Sequence, residues 1–245
     1  MASYPQRRSG SFNFDTPLGV KRLMIFTTAC YLVHYLAKMS GVLGGFFEWL
    51  YLTPSDVIGK FAIWQPVTYM FLHAIDPFHI LFNMLTLWFM GRDVEQAWGM
   101  RRFVQYYLIC GVGAGLVVII VDLLMGRSTS TYGASGAVCG VMMAFAMMFP
   151  DRELFFFPLP FAIKAKYFVA IMAAVNLLMV LPGGSGVSYV AHVGGFLVGY
   201  LYFKVAYNVG NFDPVGAMSA QYRDWKLQRA KRKFQVYMNK RDRHQ

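Results

Sequence analysis

Charge is what this sequence has least of: Asp, Glu, Lys and Arg make up 14% of its 245 residues, against roughly 25% in soluble globular chains. So few charges cannot cover a water-facing surface for a chain of this length, which excludes an ordinary soluble fold. Acidic residues are the rarer sign, 12 against 23 Lys and Arg, and the formal net charge is +11. That excess does not mark a nucleic-acid binder, because the basic residues avoid the long apolar stretches and collect in loops and at the ends. Cysteine is scarce as well. Cys30, Cys110 and Cys139 all lie inside apolar runs without CxxC or Cys/His ligand spacing, which argues against a disulfide scaffold and a zinc site. No metal and no cofactor is expected. The first twenty residues are polar and lack the apolar core of a cleavable signal peptide.

What is abundant is hydrocarbon: 57% of residues are hydrophobic. Apolar windows near 18–36, 78–91, 103–125, 135–149, 161–181 and 189–207 predict an all-α polytopic membrane protein, a bundle of six transmembrane helices. About 20 residues are needed to cross about 30 Å of hydrocarbon, so the second and fourth windows are short. Irregular chain at membrane depth is tolerated only where it is buried in protein or lines a watery cavity. With the N-terminus inside, every Lys and Arg except Lys38, Lys60 and Arg127 falls on the inner side, as the positive-inside rule requires. Omitting either short window would put the later basic clusters on the wrong side. The expected organisation is a cytoplasmic segment at 1–17, a six-helix membrane domain at 18–209 and a basic cytoplasmic tail at 210–245. A plasma or bacterial inner membrane is the expected location, with both termini cytoplasmic.

Residues 37–77, between the first two helices, are neither polar enough for a free loop nor continuous enough for a span. The aromatic run 44–52, with Trp49 and Tyr51, suits an outer segment lying in the membrane interface. In the tail, Leu227, Ala230, Phe234 and Tyr237 recur at helical spacing among Arg229, Lys231, Arg232 and Lys233. This reads as a basic amphipathic helix on anionic lipid, or equally as a solvated charged tail.

Strongly polar residues inside a span are functional-site candidates by default. Four stand out: His79 and Asn83 in span two, which share a helix face, Ser135 at the start of span four, and His192 in span six. Each alone is more simply an interhelical hydrogen bond. Together they supply a nucleophile type, a base type and two donors. Ser135 opens a helix of about 15 residues, roughly 22 Å long, several ångströms less than the hydrocarbon thickness. It is therefore expected below the outer surface, at a helix N-terminus whose free N–H groups and dipole suit an oxyanion. A second Gly-x-Ser-Gly string, Gly183-Gly184-Ser185-Gly186, follows Pro182 with no helix starting at its serine and reads as a loop. Gly136 and Gly140, and Gly195 and Gly199, are each four apart, the spacing that lets membrane helices touch backbone to backbone. Such a contact brings span six toward span four, with or without chemistry.

These residues resemble the rhomboid family of intramembrane serine proteases. The resemblance rests on His79-Ile-Leu-Phe-Asn83, on Gly133-Ala-Ser135-Gly136 and on Ala191-His192-Val-Gly-Gly195-Phe-Leu-Val-Gly199. Glu95-Gln-Ala-Trp-Gly99 and the approach from Trp64 to His73 support it. It covers roughly Trp64 to Tyr207. The family implies a six-helix core and hydrolysis of peptide bonds in or near transmembrane segments of membrane proteins. It makes Ser135 the nucleophile and His192 its general base and acid, with His79, Asn83 and the Ser135 N–H on the oxyanion and Gly133, Gly136, Gly195 and Gly199 as packing support. Lateral substrate entry past span five is implied too, which places an expected gate around Leu177, Leu178, Val180 and Leu181. Phe155, Phe156, Phe157 and Phe161 lie too deep to form it.

Two departures from the family pattern matter. The common Trp-Arg pair is Trp64-Gln65 here, which removes an anchor for the outer loop. Cys139 stands where an aromatic commonly stacks on the histidine. With no carboxylate near His192, a dyad is expected, oriented by packing or by another aromatic. Two other classes remain open: a catalytically silent protein that captures transmembrane helices in the same groove, and a small transporter with a polar path.

Overall fold

The computed structural model describes residues 16–41, 44–155, 162–180 and 187–208, together with Arg229. The segment 1–15, the serine-bearing stretch 181–186 expected to be a loop, and nearly all of the basic tail lie outside the described residues.

Helix α1 (Leu18–Ser40) follows Pro17 and closes at Gly41, whose φ of 69° permits the left-handed turn that puts its N–H on the Lys38 carbonyl. First-turn N–H groups have no helical partner. Here Gly19 and Val20 donate to the buried carboxylate of Glu95, at 2.8 and 2.6 Å, so a residue from the next long helix caps this one.

That next helix is longer than its apolar window. It starts at Asp76, which accepts from the Phe78 N–H at 3.0 Å, with Pro77 in the first turn, where its missing N–H costs nothing. α5 (Pro77–Thr86) then runs through a π-helical turn at Leu87–Gly91 into α6 (Arg92–Trp98). The window 78–91 stops early because Arg92, Asp93 and Glu95 break the apolar pattern, not because the helix ends. Buried Arg92 lies over the Trp88 ring.

α7 (Met100–Leu124) is the one helix among the described residues that is long and apolar enough to cross a membrane by length and composition alone. α8 (Ser135–Met148) is shorter, about 21 Å at 1.5 Å per residue. It is followed by an antiparallel hairpin, β1 (Glu153–Phe155) with β2 (Ala162–Lys164), which pairs Glu153 with Lys164. The hairpin, two strands of three residues, is a small exception in a chain that is otherwise helical, as the all-α expectation has it. It also moves the start of the fifth long helix from 161 to α9 (Ala165–Val180). Short apolar runs do not distinguish strand from helix by periodicity. Asp151 beside the hairpin accepts from Lys166 and Lys164, at 2.8 and 3.3 Å, and these cations hold its carboxyl below the usual carboxylate range. α10 (Val187–Asn208) completes the set.

The centre of the molecule is α7, α8 and α10. Phe103, Tyr106, Tyr107 and Cys110 of α7 are fully buried, and every residue of α8 from Gly136 to Met142 is buried. Lipid offers no hydrophobic driving force between helices, so close contact and hydrogen bonds must hold them. A Cβ at Gly140 would lie 2.5 Å from Cys110 Cβ, and one at Gly199 would lie 3.0 Å from Gly140 Cα. Tyr106 Oη donates to the Gly140 carbonyl, and Tyr69 Oη donates to that of Gly111, both at 2.6 Å. The outward face carries Leu32 and Leu36 of α1, Phe82 of α5, Ile120 and Leu124 of α7, Leu178 of α9 and Leu201 of α10, all exposed. So much bare apolar surface belongs in lipid.

Between α1 and α5 the chain folds as α2 (Gly44–Glu48), α3 (Pro54–Gly59), α4 (Gln65–Thr68) and a 3-10 turn at Tyr69–Phe71. The loss of an anchor at the Trp64-Gln65 pair is corrected here. Gln65 is 1% exposed. Its Oε1 accepts from the Thr53 N–H at 2.9 Å and its Nε2 donates to the Trp49 carbonyl at 3.2 Å. Trp64 donates to the same carbonyl and stacks on the Trp49 ring.

Candidate functional site

The stretch leading to α8 is held from the segment between α1 and α5. Leu52 and Thr131 exchange backbone hydrogen bonds at 2.9 and 2.8 Å, and Gly133 N–H donates to the Tyr69 carbonyl at 2.9 Å. One residue on, the Ala134 N–H donates to Nε2 of fully buried His73 at 3.3 Å. The backbone therefore enters α8 in one conformation, with Ser135 as its first residue. The N–H groups of Ser135, Gly136 and Ala137 belong to the first turn, where the helix provides no acceptor.

Gly133 opens the site. Its φ of 140° lies where side-chain-bearing residues rarely go. A Cβ there would sit 3.3 Å from His79 Cε1, 3.5 Å from His79 Nε2 and 3.7 Å from Ser135 Oγ. His79 and Ser135 thus face one small gap that glycine leaves empty. His79 stands in the first turn of α5, and Asn83 follows one turn later, buried, with Nδ2 donating to the His79 carbonyl at 2.8 Å. The second Asn83 N–H is not used by that bond. The His73 ring meets the His79 ring edge-on at 5.3 Å.

His192 reaches the same region from α10. A Cβ at Gly136 would lie 3.2 Å from the Ala191 carbonyl, and one at Gly195 would collide with the Gly136 carbonyl. The residue after Ser135 therefore touches the residue before His192. Ser135 and His192 form no direct hydrogen bond to each other among the described residues, although such bonds commonly tighten only when substrate binds. His192 is instead held from α9: its Nδ1 lies 2.7 Å from Asn176 Oδ1. The Tyr189 ring stands edge-on at 6.2 Å. To the expected restraint on His192, packing or another aromatic, the structure adds a hydrogen bond. Cys139 is buried in α8 and contributes no ring.

Of the four polar candidates, His79 and Ser135 border the Gly133 gap, Asn83 is bonded to the His79 carbonyl, and His192 follows the residue that Gly136 touches; Gly199 lies one turn further on, against Gly140 and Tyr106. Ser185 falls outside the described residues. No group of three or more His, Cys, Asp or Glu among the described residues is placed to hold a metal ion. Of three further contributors, Asn176 escapes the sequence motifs, while Gln65 and His73 stand within the Trp64-to-His73 approach without a role assigned to them. Asn176 carries the same signal as the four candidates, a strong polar group in an apolar run, and simply lies outside every motif. His73 and Gln65 carry no signal of their own, because each acts through backbone groups distant in sequence.

The expected gate is also redrawn. Leu177 and Leu178 are exposed, at 53% and 61%, and stand outside the packed core, whereas Val180 is partly buried against it. Phe155 is exposed in β1, while Phe156, Phe157, Phe161 and Leu181 lie outside the described residues.

Comparison with known proteins gives this geometry its context. RHOMBOID-like protein 1 of Arabidopsis thaliana is 34% identical over 156 residues, covering 61% of this chain and 36% of that protein. RHOMBOID-like protein 4 of the same plant is 37% identical over 141 residues, 56% of this chain and 32% of its own length. Presenilin-associated rhomboid-like protein, mitochondrial, of Homo sapiens is 29% identical over 126 residues, 51% and 33%. The chain spans about a third of the length of these relatives. Residues 60–208 match the Rhomboid domain, a stretch that holds Ser135, His192, His79 and Asn83; this membrane protein belongs to the rhomboid family.

Proposed function

We propose that the chain is an intramembrane serine endopeptidase that hydrolyses peptide bonds in or near transmembrane segments of membrane proteins. In this reading α1, the continuous α5–α6 helix, α7, α8, α9 and α10 cross the bilayer, both ends of the chain are cytoplasmic, and α2 to α4 lie in the outer interface. The basic tail rests on anionic lipid.

Ser135 Oγ attacks the scissile carbonyl carbon as His192 Nε2 takes its proton. The tetrahedral oxyanion is met by His79, by the free N–H of Asn83 and by the Ser135 N–H at the positive end of α8. Collapse breaks the C–N bond, with the proton passing from His192 to the leaving amine and leaving an acyl-enzyme on Ser135. Water, deprotonated by His192, then releases the acid. The observation that carries this reading is the gap beside Gly133, bordered by His79 Nε2 and Ser135 Oγ at a helix N-terminus.

The test is covalent labelling of the full chain in detergent by a fluorophosphonate probe, paired with cleavage of a reconstituted transmembrane substrate. Wild type and Ser185→Ala should label and cleave. Ser135→Ala should do neither, and His192→Ala should lose about as much, because members of a catalytic unit are not additive. A wild type that neither labels nor cleaves, yet retains bound transmembrane segments, would make the chain a silent binder.

A further inference from the structure

Asn176 is buried at 6% exposure on α9, and both ends of its amide are committed. Nδ2 donates to the Met172 carbonyl one turn back at 2.7 Å, so the atom facing His192 Nδ1 at 2.7 Å is the acceptor Oδ1. Turning the amide over would oppose two carbonyl oxygens at Met172, so the network itself assigns the orientation. An oxygen acceptor on Nδ1 requires that nitrogen to carry the proton. In a neutral imidazole the lone pair then resides on Nε2.

We propose that Asn176 is a positioning residue for the reaction: it holds His192 as the Nδ1–H tautomer and keeps Nε2 free to accept the Ser135 proton. This rests on the protease reading above. Asn176 neither gains nor loses a proton. As the Oγ–carbonyl bond forms, the Ser135 proton moves to Nε2, and the ring becomes a cation whose Nδ1–H stays on the amide oxygen. The Nε2 proton then leaves with the amine. The amide thus fills the place that a carboxylate occupies in Ser-His-Asp triads, without a buried charge to desolvate. It also replaces the ring that Cys139 does not supply. Because Ser135, His192 and Asn176 stand on α8, α10 and α9, the base is fully prepared only while α9 is seated against α10.

The experiment uses the full chain in liposomes, with 15N-histidine labelling and a His192→Gln variant to identify the His192 signals. Wild type should show His192 protonated at Nδ1. Asn176→Ala should shift it toward the Nε2–H tautomer and lower kcat ten- to a hundredfold, the range for one hydrogen bond to a charged group, with KM little changed. Asn176→Asp, which keeps the acceptor, should restore the Nδ1–H signal and most of the turnover. A wild-type spectrum showing Nε2–H, or wild-type kcat in Asn176→Ala, overturns the proposal. If Asn176→Ala does not fold, the wild-type and Asn176→Asp spectra decide. Full activity in Ser135→Ala would instead defeat the protease reading, and the tautomer spectrum would still judge Asn176.

Discussion

Gly195 lies against the carbonyl oxygen of Gly136, so close that a methyl group at 195 would fall inside van der Waals contact with it. The obstacle is backbone and cannot swing aside. Gly195→Ala should therefore destabilise by about 3 kcal/mol, the upper end of the usual overpacking cost, and should lower any activity that needs Ser135 and His192 together. Gly45, with nothing within 4 Å of a Cβ, is the contrast, and Gly45→Ala should stay within about 0.5 kcal/mol of wild type. Thermal unfolding in detergent measures both; equal midpoints would mean that the α8–α10 contact does not hold the site.

Gly133→Ala tests the gap itself. The new methyl would enter the space between His79 and Ser135, at a backbone angle that alanine disfavours. Probe labelling should fall at least tenfold. The fold, sustained by α7, α8 and α10, should melt within a few degrees of wild type. Asn83→Ala separates a different step: it removes one oxyanion donor, a change of about 10² to 10³ in turnover in soluble serine proteases, and less here because other donors remain. Labelling of Ser135 should survive better than proteolysis. Full proteolysis by Asn83→Ala on every substrate would reduce Asn83 to a helix-packing residue, bonded only to the His79 carbonyl.

The long helices and the polar candidates were legible because the signals are local. Apolar windows locate α1, α7, α8 and α10 closely, and the two glycine pairs name the faces that meet. What escaped is non-local or ambiguous. The α5–α6 helix carries charges at its C-terminal end, and the apolar criterion mistakes Arg92, Asp93 and Glu95 for its terminus, though Glu95 is buried capping α1. The hairpin before α9 shares its composition with a helix start. The link from Asn176 to His192 joins residues 16 apart on two helices, and no spacing rule predicts which face of α9 turns inward.

Gln65 gives a fourth prediction. Its amide spans the Thr53 N–H and the Trp49 carbonyl within the segment between α1 and α5. Gln65→Leu keeps the volume but leaves the Thr53 N–H without its partner, at a cost of about 1–3 kcal/mol for a buried group left unsatisfied, while the Trp49 carbonyl keeps the Trp64 donor. The expected result is faster proteolytic nicking near residues 49–53 and a lower unfolding midpoint. An unchanged nicking rate would show that the Trp49–Trp64 stack suffices.

α9 is loosely tied to the rest for a helix of its length. In it only Ala165, Val169 and Asn176 are buried, whereas α8 is buried continuously from Gly136 to Met142. Few buried contacts mean a low cost of local opening, so on the proposed function α9 is the side where a transmembrane substrate enters. Leu177 and Leu178 already face outward, and trimming either to alanine should change cleavage by less than about twofold, since exposed substitutions rarely shift stability by more than ~0.5 kcal/mol. Met172 packs on the core through its side chain, while its carbonyl separately anchors Asn176. Met172→Ala should therefore loosen α9 and leave the Asn176 bond in place. Cleavage of a transmembrane substrate should rise severalfold, and a short soluble peptide should be cut at nearly the wild-type rate. Equal gains on both substrates would mean that Met172 affects the chemistry instead of entry. A gain in Leu178→Ala comparable to that in Met172→Ala would point to a lipid-facing route that does not require α9 to move.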